Sequence, residues 1–207
     1  MASWKAVVVA IGTVCGTTIF LLALAAWSSP QAPPTTAQEV VLVLDPAQCK
    51  VHFTVDATLH TVHGTFNLKS GTVQFDTESG KAGGEIVVYA TSGDSGNSSR
   101  DARMHKEILE TRKYPDAVFR PSQVEGKVAR TGAWDVRLRG VISLRGYEHE
   151  IVVPVHAELA ADHWTGKAKF DVPYIEWGMK DPSNWLLKVK PVVNVEVELA
   201  GSAKSQN

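Results

Sequence analysis

The chain has 207 residues, enough for one domain of ordinary size plus a targeting segment. Hydrophobic residues make up 44% and charged residues 21%, and the formal net charge is −1. This balance allows a real core but argues against a nucleic-acid-binding protein, which needs a basic face to neutralise phosphates. The two cysteines, Cys15 and Cys49, form no CxxC motif and no disulfide framework. Cys49 is expected to be a small, buried residue on a strand, and the alternative is a reactive thiol.

The first 38 residues predict a membrane-targeting segment followed by a linker. Residues 6–27 carry no ionisable group except the thiol of Cys15 and are long enough to span a bilayer as an anchor. The small residues at 23–25 suit cleavage by signal peptidase, so residues 1–27 are interpreted as a signal peptide or a membrane anchor. Residues 28–38, rich in Ser, Pro, Thr and Gln, predict a flexible linker. Both interpretations place the rest of the chain outside the cytoplasm, either anchored to the membrane or secreted.

From residue 40 onward the dominant hydrophobic period is two, which is typical of strands with one buried face. Turn residues separate the apolar runs roughly every 8–15 residues, as in a meander of antiparallel strands. We expect eight or nine strands in a domain over residues 39–201, with a tail at 202–207. The apolar positions of this pattern are Val51, Phe53, Val55, Phe66, Leu68, Val73, Phe75, Ile86, Val88, Val136, Leu138, Ile142, Leu144, Ile151, Val153, Val155, Phe170, Val172, Val189, Val193, Val195, Val197 and Leu199.

One segment, residues 98–115, carries a helical pattern instead. Met104 and Ile108 recur at i and i+4, and either Ser98 or Ser99 is placed to cap the helix N-terminus. Basic residues cluster near the other end, and a proline closes the segment. The sequence therefore predicts one short helix in an otherwise all-β fold.

A sheet with this many strands and one apolar face must pack on a second sheet or close on itself. Closure at about eight strands leaves an interior that side chains just fill, or that holds one small ligand. The inward-facing residues are mostly of medium size, with a few aromatics. Periodicity alone therefore leaves two alternatives open: a barrel with an apolar ligand cavity, and a filled barrel that acts as a structural or interaction domain.

Several short motifs occur in a fixed order over residues 40–200, the whole of the expected domain. They are GTF (64–66), RD (100–101), YPDAVF (114–119), GVISLRG (140–146) and EWGM (176–179). In type and order they resemble the motifs of the YceI-like family of lipocalin-like polyisoprenoid-binding proteins.

The resemblance implies an eight-stranded antiparallel lipocalin-like barrel with one short helix, here preceded by an N-terminal apolar helix. It also implies a periplasmic or secreted binding protein rather than an enzyme, with no cofactor. The ligand would be a long isoprenoid, such as a polyprenyl phosphate or a quinone tail, in an apolar tunnel. The residues we expect to line that tunnel are Phe53, Val55, Phe66, Phe75, Ile86, Val88, Met104, Ile108, Phe119, Trp134, Val153, Phe170 and Trp177.

Basic and aromatic residues near the predicted turns allow further hypotheses about the tunnel entrance. Arg100 and Arg103 lie in the helical segment and are candidates for pairing with an anionic head group. The alternative for both is a solvated helix face, because acidic residues lie among them. Trp164, Trp177 and Trp185 lie near turns and either pack at the barrel rim or guard an entrance for lipid.

Three histidines give an alternative of a different class, a metal-binding protein. His60 and His63 stand three residues apart at the end of the first long strand, and His105 lies on the predicted helix. Three imidazoles can hold a zinc ion with an open position, although no further ligand has a diagnostic spacing. The competing interpretation is that they are polar residues at the rim, which make hydrogen bonds and bind no metal.

Overall fold

Residues 39–128 and 131–206 are described by the computed structural model, and they form a sheet of nine antiparallel strands with one short helical segment. Most strands alternate buried and exposed residues, as the period of two predicts. The strands are β1 (Glu39–Leu44), β2 (Lys50–Asp56), β3 (Thr61–Asp76), β4 (Ala82–Asp94), β5 (Asp116–Gly126), β6 (Gly132–Leu144), β7 (Tyr147–Ala160), β8 (His163–Val172) and β9 (Val193–Gln206).

The sheet closes into a barrel with eight strand positions. Strands β2 to β9 each pair with the next along the chain, and β2 pairs with β9 to close the circle. β1 and β2 share one position, because β1 pairs with residues 72–76 and 201–206 while β2 pairs with residues 61–66 and 194–198 of the same two neighbours. The prediction of a closed, eight-stranded antiparallel barrel is confirmed.

A turn at residues 45–49 interrupts the position that β1 and β2 share. The Asp45 carboxylate accepts hydrogen bonds from the backbone N–H of Ala47 (3.0 Å) and from the Gln48 amide (2.6 Å). Cys49 then re-enters the wall, half-buried, with its thiol 3.5 Å from the carbonyl oxygen of Ala200. Burial raises the pKa of the Cys49 thiol, which keeps it protonated as a small packing residue.

The last strand extends beyond the expected end of the domain. β9 continues to Gln206, and residues 202–206, which the sequence pattern predicts to be a tail, pair with β1. The reason is the interrupted position: β1 needs a partner on the side opposite β3, and only the end of β9 reaches it. The apolar-polar alternation of the sequence weakens at the end of β9, because small and polar residues replace the valines.

The helical segment connects β4 to β5. It consists of α1 (Ser98–Arg103) and a π-helical turn (Met104–Ile108) that continues it. The cap is Asn97, whose side-chain oxygen accepts the backbone N–H of Arg100 at 3.1 Å. The expectation that Ser98 or Ser99 caps the helix is wrong by one residue, because both serines already lie within the helix while Asn97 has the extended backbone of a cap.

The interior of the barrel has two clusters of buried residues: Val172, Tyr174 and Met179 near one end, and a larger cluster at the other. Ten buried residues form a contiguous cluster there, which we call the plug: Leu42, Leu44, Leu68, Val73, Phe75, Val124, Trp134, Val136, Ala157 and Trp164. The two long connections, residues 95–115 and 173–192, both lie at the opposite end, because alternate connections of an antiparallel meander share an end. We call that opposite end the mouth.

The N-terminal predictions fall outside this description. Residues 1–38, with the expected signal peptide or anchor and the linker, are not among the described residues. Within residues 39–128 and 131–206, no helix is long and apolar enough to cross a membrane.

Candidate functional site

A cavity of about 600 Å³ occupies the barrel between the plug and the mouth. This volume falls within the range of about 300–1,000 Å³ that is typical of small-molecule sites. Its wall is almost entirely apolar and receives side chains from strands β2 to β9 and from the helical segment. The structure places these sequence-predicted residues in the lining: Phe53, Val55, Phe66, Ile86, Val88, Met104, Ile108, Phe119, Val153 and Phe170.

Three residues predicted to line the tunnel lie elsewhere. Phe75 and Trp134 belong to the plug, where their rings meet edge to face with centroids 6.5 Å apart. Trp177 stacks on His149 outside the lining, with ring centroids 4.1 Å apart and nearly parallel planes. The period of two identifies the inward face of a strand, but it does not give the height of a residue along the barrel axis. Phe75 and Trp134 differ from the prediction for this reason, whereas Trp177 lies in the irregular connection after β8.

The sequence pattern missed the part of the lining that comes from residues 173–192. This connection has no regular strand or helix, so most of it carries no periodic signal. Its last part does alternate, since Leu187 and Val189 line the cavity while Lys188 between them is exposed. That alternation was the one available signal. The lining residues of this connection are Tyr174, Met179, Pro182, Leu187 and Val189, of which Val189 alone belongs to the predicted apolar pattern.

Glycines in two of the motifs make room for the aromatic part of the wall. A Cβ atom on Gly64 would overlap the ring of Phe53, which packs against Phe66 with centroids 5.2 Å apart. A Cβ atom on Gly140 would stand 2.7 Å from the ring of Phe119. Both glycines therefore let a phenylalanine ring lie flat against the backbone of a neighbouring strand. This explains physically why GTF and GVISLRG begin with glycine.

Arg100 lies at the mouth, where it both lines the cavity and fixes the start of the helix. Its Nε donates to the Ser95 hydroxyl and its terminal nitrogen donates to the Ser95 carbonyl oxygen, each at 2.7 Å. Asp101 accepts the backbone N–H of Ser95 at 3.0 Å and also the Ser95 hydroxyl. The RD motif thus stabilises the turn before α1 through Ser95.

Arg103 lines the mouth one helical turn further on, and its charge is shared with the long connection. Its Nε is 3.6 Å from a Glu107 oxygen that also accepts a hydrogen bond from the Lys180 ammonium at 2.6 Å. The Lys180 ammonium, followed by Arg103, holds the pKa of Glu107 below its ordinary value. The three charges tie the helical segment to residues 173–192 and leave Arg103 partly exposed beside the opening.

The three histidines do not form a common site. His60 is exposed in the turn between β2 and β3, at the edge of the cavity. His63 is exposed on β3 and hydrogen-bonds Thr54 at 3.1 Å, whereas the ring of His105 is 3.0 Å from the carbonyl oxygen of Gly93. Within the described part of the chain, no group of three or more His, Cys, Asp or Glu side chains is placed to hold a metal ion. The structure therefore does not assemble His60, His63 and His105 into a metal site.

Apolar side chains are exposed at the mouth, on a surface we call the rim, residues 57–60 and 184–188. The Thr58 N–H donates to the carbonyl oxygen of Lys188 at 2.9 Å, which holds the two turns side by side. On this rim Trp185 is 90% exposed, Leu59 69% and Leu186 61%, while the next residue, Leu187, lines the cavity. An apolar path therefore runs from the outer surface into the barrel.

Tyr174 contributes its ring to the lining but keeps its hydroxyl out of contact with solvent. The side chain is 4% exposed, and its hydroxyl has no hydrogen-bond partner among the described residues. Burial raises the pKa of Tyr174 to about 12, with a smaller contribution from the negative charge of Asp181. The wall therefore carries a buried polar atom at Tyr174 without a hydrogen-bond partner among the described residues.

Comparison with known proteins agrees with this architecture. A family model described as the YceI-like domain matches residues 42–201. Among similar solved structures, BcnA from Burkholderia cenocepacia is 16% identical with a TM-score of 0.62, covering 76% of this chain and 99% of that one. A polyisoprenoid binding domain from Saccharophagus degradans, implicated in plant cell wall breakdown, is 17% identical with a TM-score of 0.60, covering 79% and 98%. The YCEI protein of Campylobacter jejuni is 17% identical with a TM-score of 0.55, covering 67% and 84%.

Because these sequence identities are low, the similarity to the solved structures shows a shared fold and nothing further. No curated protein matches the chain. The family model, however, covers most of the chain and nearly the whole barrel, including the glycine motifs and both arginines at the mouth. Together with the closed barrel of eight strand positions, this match shows that the chain belongs to the YceI-like family.

Proposed function

We propose that the barrel binds an isoprenoid-type lipid, with the apolar chain of the lipid inside the cavity. The observation that carries this proposal is the cavity of about 600 Å³ with an apolar wall, open at the mouth. Burial of apolar surface contributes about 25 cal/mol per Å², and no polar group in the wall demands a polar ligand deep inside. The polyisoprenoid binding domain from Saccharophagus degradans, which has the same fold, supports the choice of an isoprenoid.

The polar end of the ligand is proposed to lie at the mouth, beside Arg100 and Arg103. Both arginines are among the residues that line the cavity at the mouth, and a phosphate pairs well with arginine. The sharing of Glu107 between Arg103 and Lys180 leaves the local charge positive. Replacing both arginines by glutamine is expected to weaken binding of a polyprenyl phosphate and leave binding of the uncharged prenol unchanged. Equal losses for both ligands would contradict the head-group assignment.

The role proposed here is binding or carriage rather than catalysis, in an extracytoplasmic setting. The location rests on the apolar run of residues 6–27 and the linker after it, as predicted from the sequence. Cell fractionation followed by protease treatment of intact cells tests it, since an extracytoplasmic domain becomes accessible before cytoplasmic markers do. The alternative of a filled barrel is disfavoured by the cavity.

Native mass spectrometry of the full chain purified from its source cells tests the binding function. The expected result is a co-purified apolar lipid, or uptake of one isoprenoid from a panel of prenols, prenyl phosphates and quinones at one equivalent per chain. A chain that carries no lipid and takes up none from the panel would contradict the proposal. A straight-chain fatty acid at the same concentration serves as the control for non-specific apolar binding.

A further inference from the structure

We infer that the rim docks on the surface of an anionic lipid bilayer, with Leu59, Trp185 and Leu186 entering the interfacial region of the lipid. This inference goes beyond the proposed function, because it assigns a partner to the outer surface of the barrel and holds whatever ligand the cavity takes. Three features of the rim identify the partner: the position of the exposed apolar side chains, the hydrogen bonding of the backbone beneath them, and the surrounding charges.

The exposed apolar side chains of the barrel are concentrated at the mouth. Among the described residues, the four large hydrophobic side chains with the greatest exposure are Leu59, Tyr147, Trp185 and Leu186. Three of them belong to the rim. Tyr147 follows the hairpin between β6 and β7, where Arg145 donates to the carbonyl oxygen of Gly178 in the long connection at 2.6 Å, so it lies at the same end of the barrel. Tryptophan and tyrosine are enriched at membrane–water interfaces, because a ring with one polar group suits both phases.

The backbone that presents Trp185 and Leu186 has internal hydrogen-bond partners. The Asn184 side-chain oxygen accepts the N–H groups of Leu186 at 2.9 Å and of Leu187 at 2.7 Å. The Asn184 N–H in turn donates to the carbonyl oxygen of Leu187 at 2.9 Å. These bonds hold a turn with Trp185 and Leu186 at its outer side. Lipid offers few hydrogen-bond partners, so a turn that pairs its own N–H groups enters the interface at a lower desolvation cost than one that relies on water.

The charges around the rim favour an anionic surface. Residues 57–60 and 184–188 contain no acidic residue, and their one lysine, Lys188, is exposed. Asp56, which precedes the rim, is neutralised by the Lys190 ammonium at 2.8 Å. The two long connections, residues 95–115 and 173–192, carry eight basic and five acidic residues, a net charge of +3 in a chain whose formal net charge is −1. Basic side chains beside an apolar insertion are attracted to the head groups of anionic lipids.

The exposed apolar area of the rim is small for a protein partner. A stable protein–protein interface takes about 800 Å² from each side, whereas burial of a large aromatic side chain removes about 150–250 Å². Leu59, Trp185 and Leu186 together therefore supply roughly half of what a protein interface needs. A bilayer requires no extended flat area, because lipid surrounds each side chain that enters it. The apolar path into the cavity then begins in the lipid, next to Leu187.

Trp185 is itself the reporter for the test. The full chain is mixed with vesicles of phosphatidylcholine and about 30 mol% phosphatidylglycerol, with or without bromine on the acyl chains, which quenches tryptophans that contact the lipid. The wild type is compared with Trp185→Phe, which keeps a ring at the rim but removes one of six tryptophans. The other five and residues 1–38 are the same in both proteins, so the difference in quenched emission belongs to Trp185. We expect this difference to be present and to fall at least about threefold on vesicles of phosphatidylcholine alone.

Two double variants that keep Trp185 separate docking from mere proximity to the vesicle. Leu59→Ser/Leu186→Ser removes the rest of the apolar rim and is expected to reduce the quenched emission of Trp185 at least about threefold. Tyr89→Ser/Val152→Ser is the matched control, because it removes two exposed apolar side chains from the outer wall of the barrel, and it should behave like the wild type. Each double variant is measured against its own Trp185→Phe counterpart.

Equal quenched emission in the wild type and Trp185→Phe on the anionic vesicles would overturn the docking, as would equal losses in the two double variants. Equal quenching of Trp185 on both types of vesicle would overturn the choice of an anionic surface. A dimer that forms without vesicles and is lost in Leu59→Ser/Leu186→Ser, measured by analytical ultracentrifugation, would assign the rim to a second copy of the chain instead. The vesicles contain no isoprenoid, so each of these results leaves the proposed function of the cavity untouched.

Discussion

At the scale of single residues, the shape of the cavity wall depends on phenylalanine rings that lie against glycine backbones. Phe53 covers Gly64, and Phe119 approaches Gly140. A ring placed in this way presents its face to the lumen and closes the gap that a missing side chain leaves in the wall. The glycines contribute to the site through the space that they leave free, whereas Phe53, Phe66 and Phe119 line the cavity themselves.

Replacing Gly64 by alanine tests this arrangement. The new Cβ would overlap the ring of Phe53, so we expect a loss of about 1–3 kcal/mol in the free energy of unfolding, measured with urea. Gly83→Ala is the control, because its Cβ would meet only the flexible Gln74 side chain, at 3.4 Å. Equal stability of Gly64→Ala and the control would show that the ring does not occupy this position.

Tyr174→Phe is expected to stabilise the barrel. The buried hydroxyl has no hydrogen-bond partner among the described residues, so its removal spares a desolvation penalty of about 1 kcal/mol. Thermal unfolding at neutral pH measures the change. A decrease in stability would show that the hydroxyl has a partner in solution.

The same tyrosine makes stability fall at alkaline pH. Its pKa is raised in the folded state to about 12 from the ordinary value of 10.0, so folding favours the protonated form. The contribution is fully present below pH 10 and is lost as the pH rises towards about 12. We expect the wild type to lose more stability over this interval than Tyr174→Phe does. Parallel curves for the two proteins would contradict the raised pKa.

At the scale of structural elements, the mouth is built by the two long connections. The helical segment supplies Arg100 and Arg103, and the connection between β8 and β9 supplies Leu187 and the exposed Trp185. Of the three tryptophans expected near an entrance, Trp185 is the one at the rim; Trp164 lies in the plug and Trp177 stacks on His149.

Polar substitution of the rim is expected to slow lipid uptake. The double variant Trp185→Ser/Leu186→Ser interrupts the apolar path from the surface to the cavity. The rate at which a prenol transfers from vesicles to the barrel should therefore fall at least about threefold. The final occupancy should stay the same, because neither side chain lines the cavity. Stopped-flow fluorescence with a polyene isoprenoid measures the rate.

Tyr89→Ser is the control for the rim variant. Tyr89 is also an exposed aromatic residue, but it lies on β4 between two lining residues and therefore faces the outside of the barrel. Its uptake rate should match that of the wild type. An unchanged rate in the double variant, or an equal slowing in the control, would remove the rim from the entry route.

The strands, the helix and the connections differ in how well their structure can be predicted from the sequence alone. The inward face of each strand follows from the period of two, so residues such as Val153 and Phe170 are found in the lining as predicted. The helix cap is misplaced by one residue, and most of the lining from residues 173–192 is missed. Both failures come from segments without a long periodic pattern, where backbone conformation depends on tertiary contacts such as the ion pairs of Glu107.

At the scale of the whole molecule, the barrel is a closed sheet divided between a large packed cluster at one end and an apolar cavity. Closure and strand number follow from the sequence pattern and the family resemblance, but the division does not. It depends on which inward residues are large at which height, and Trp134 and Trp164 reach the same end only because of the register between β6, β7 and β8. Registers join distant parts of the chain and leave no local signal in the sequence.

The central claim is that the apolar cavity inside the barrel is the lipid-binding site, and a pair of adjacent substitutions tests it most directly. Val153 lines the cavity, whereas Val152, its neighbour on β7, is on the outer face. We expect Val153→Trp to reduce the affinity for a prenol at least about 100-fold, or about 2.7 kcal/mol, and Val152→Trp to leave it unchanged. Titration by quenching of a bound polyene isoprenoid measures both values. Equal affinities for the wild type and Val153→Trp, with both variants folded, would contradict a site within the barrel.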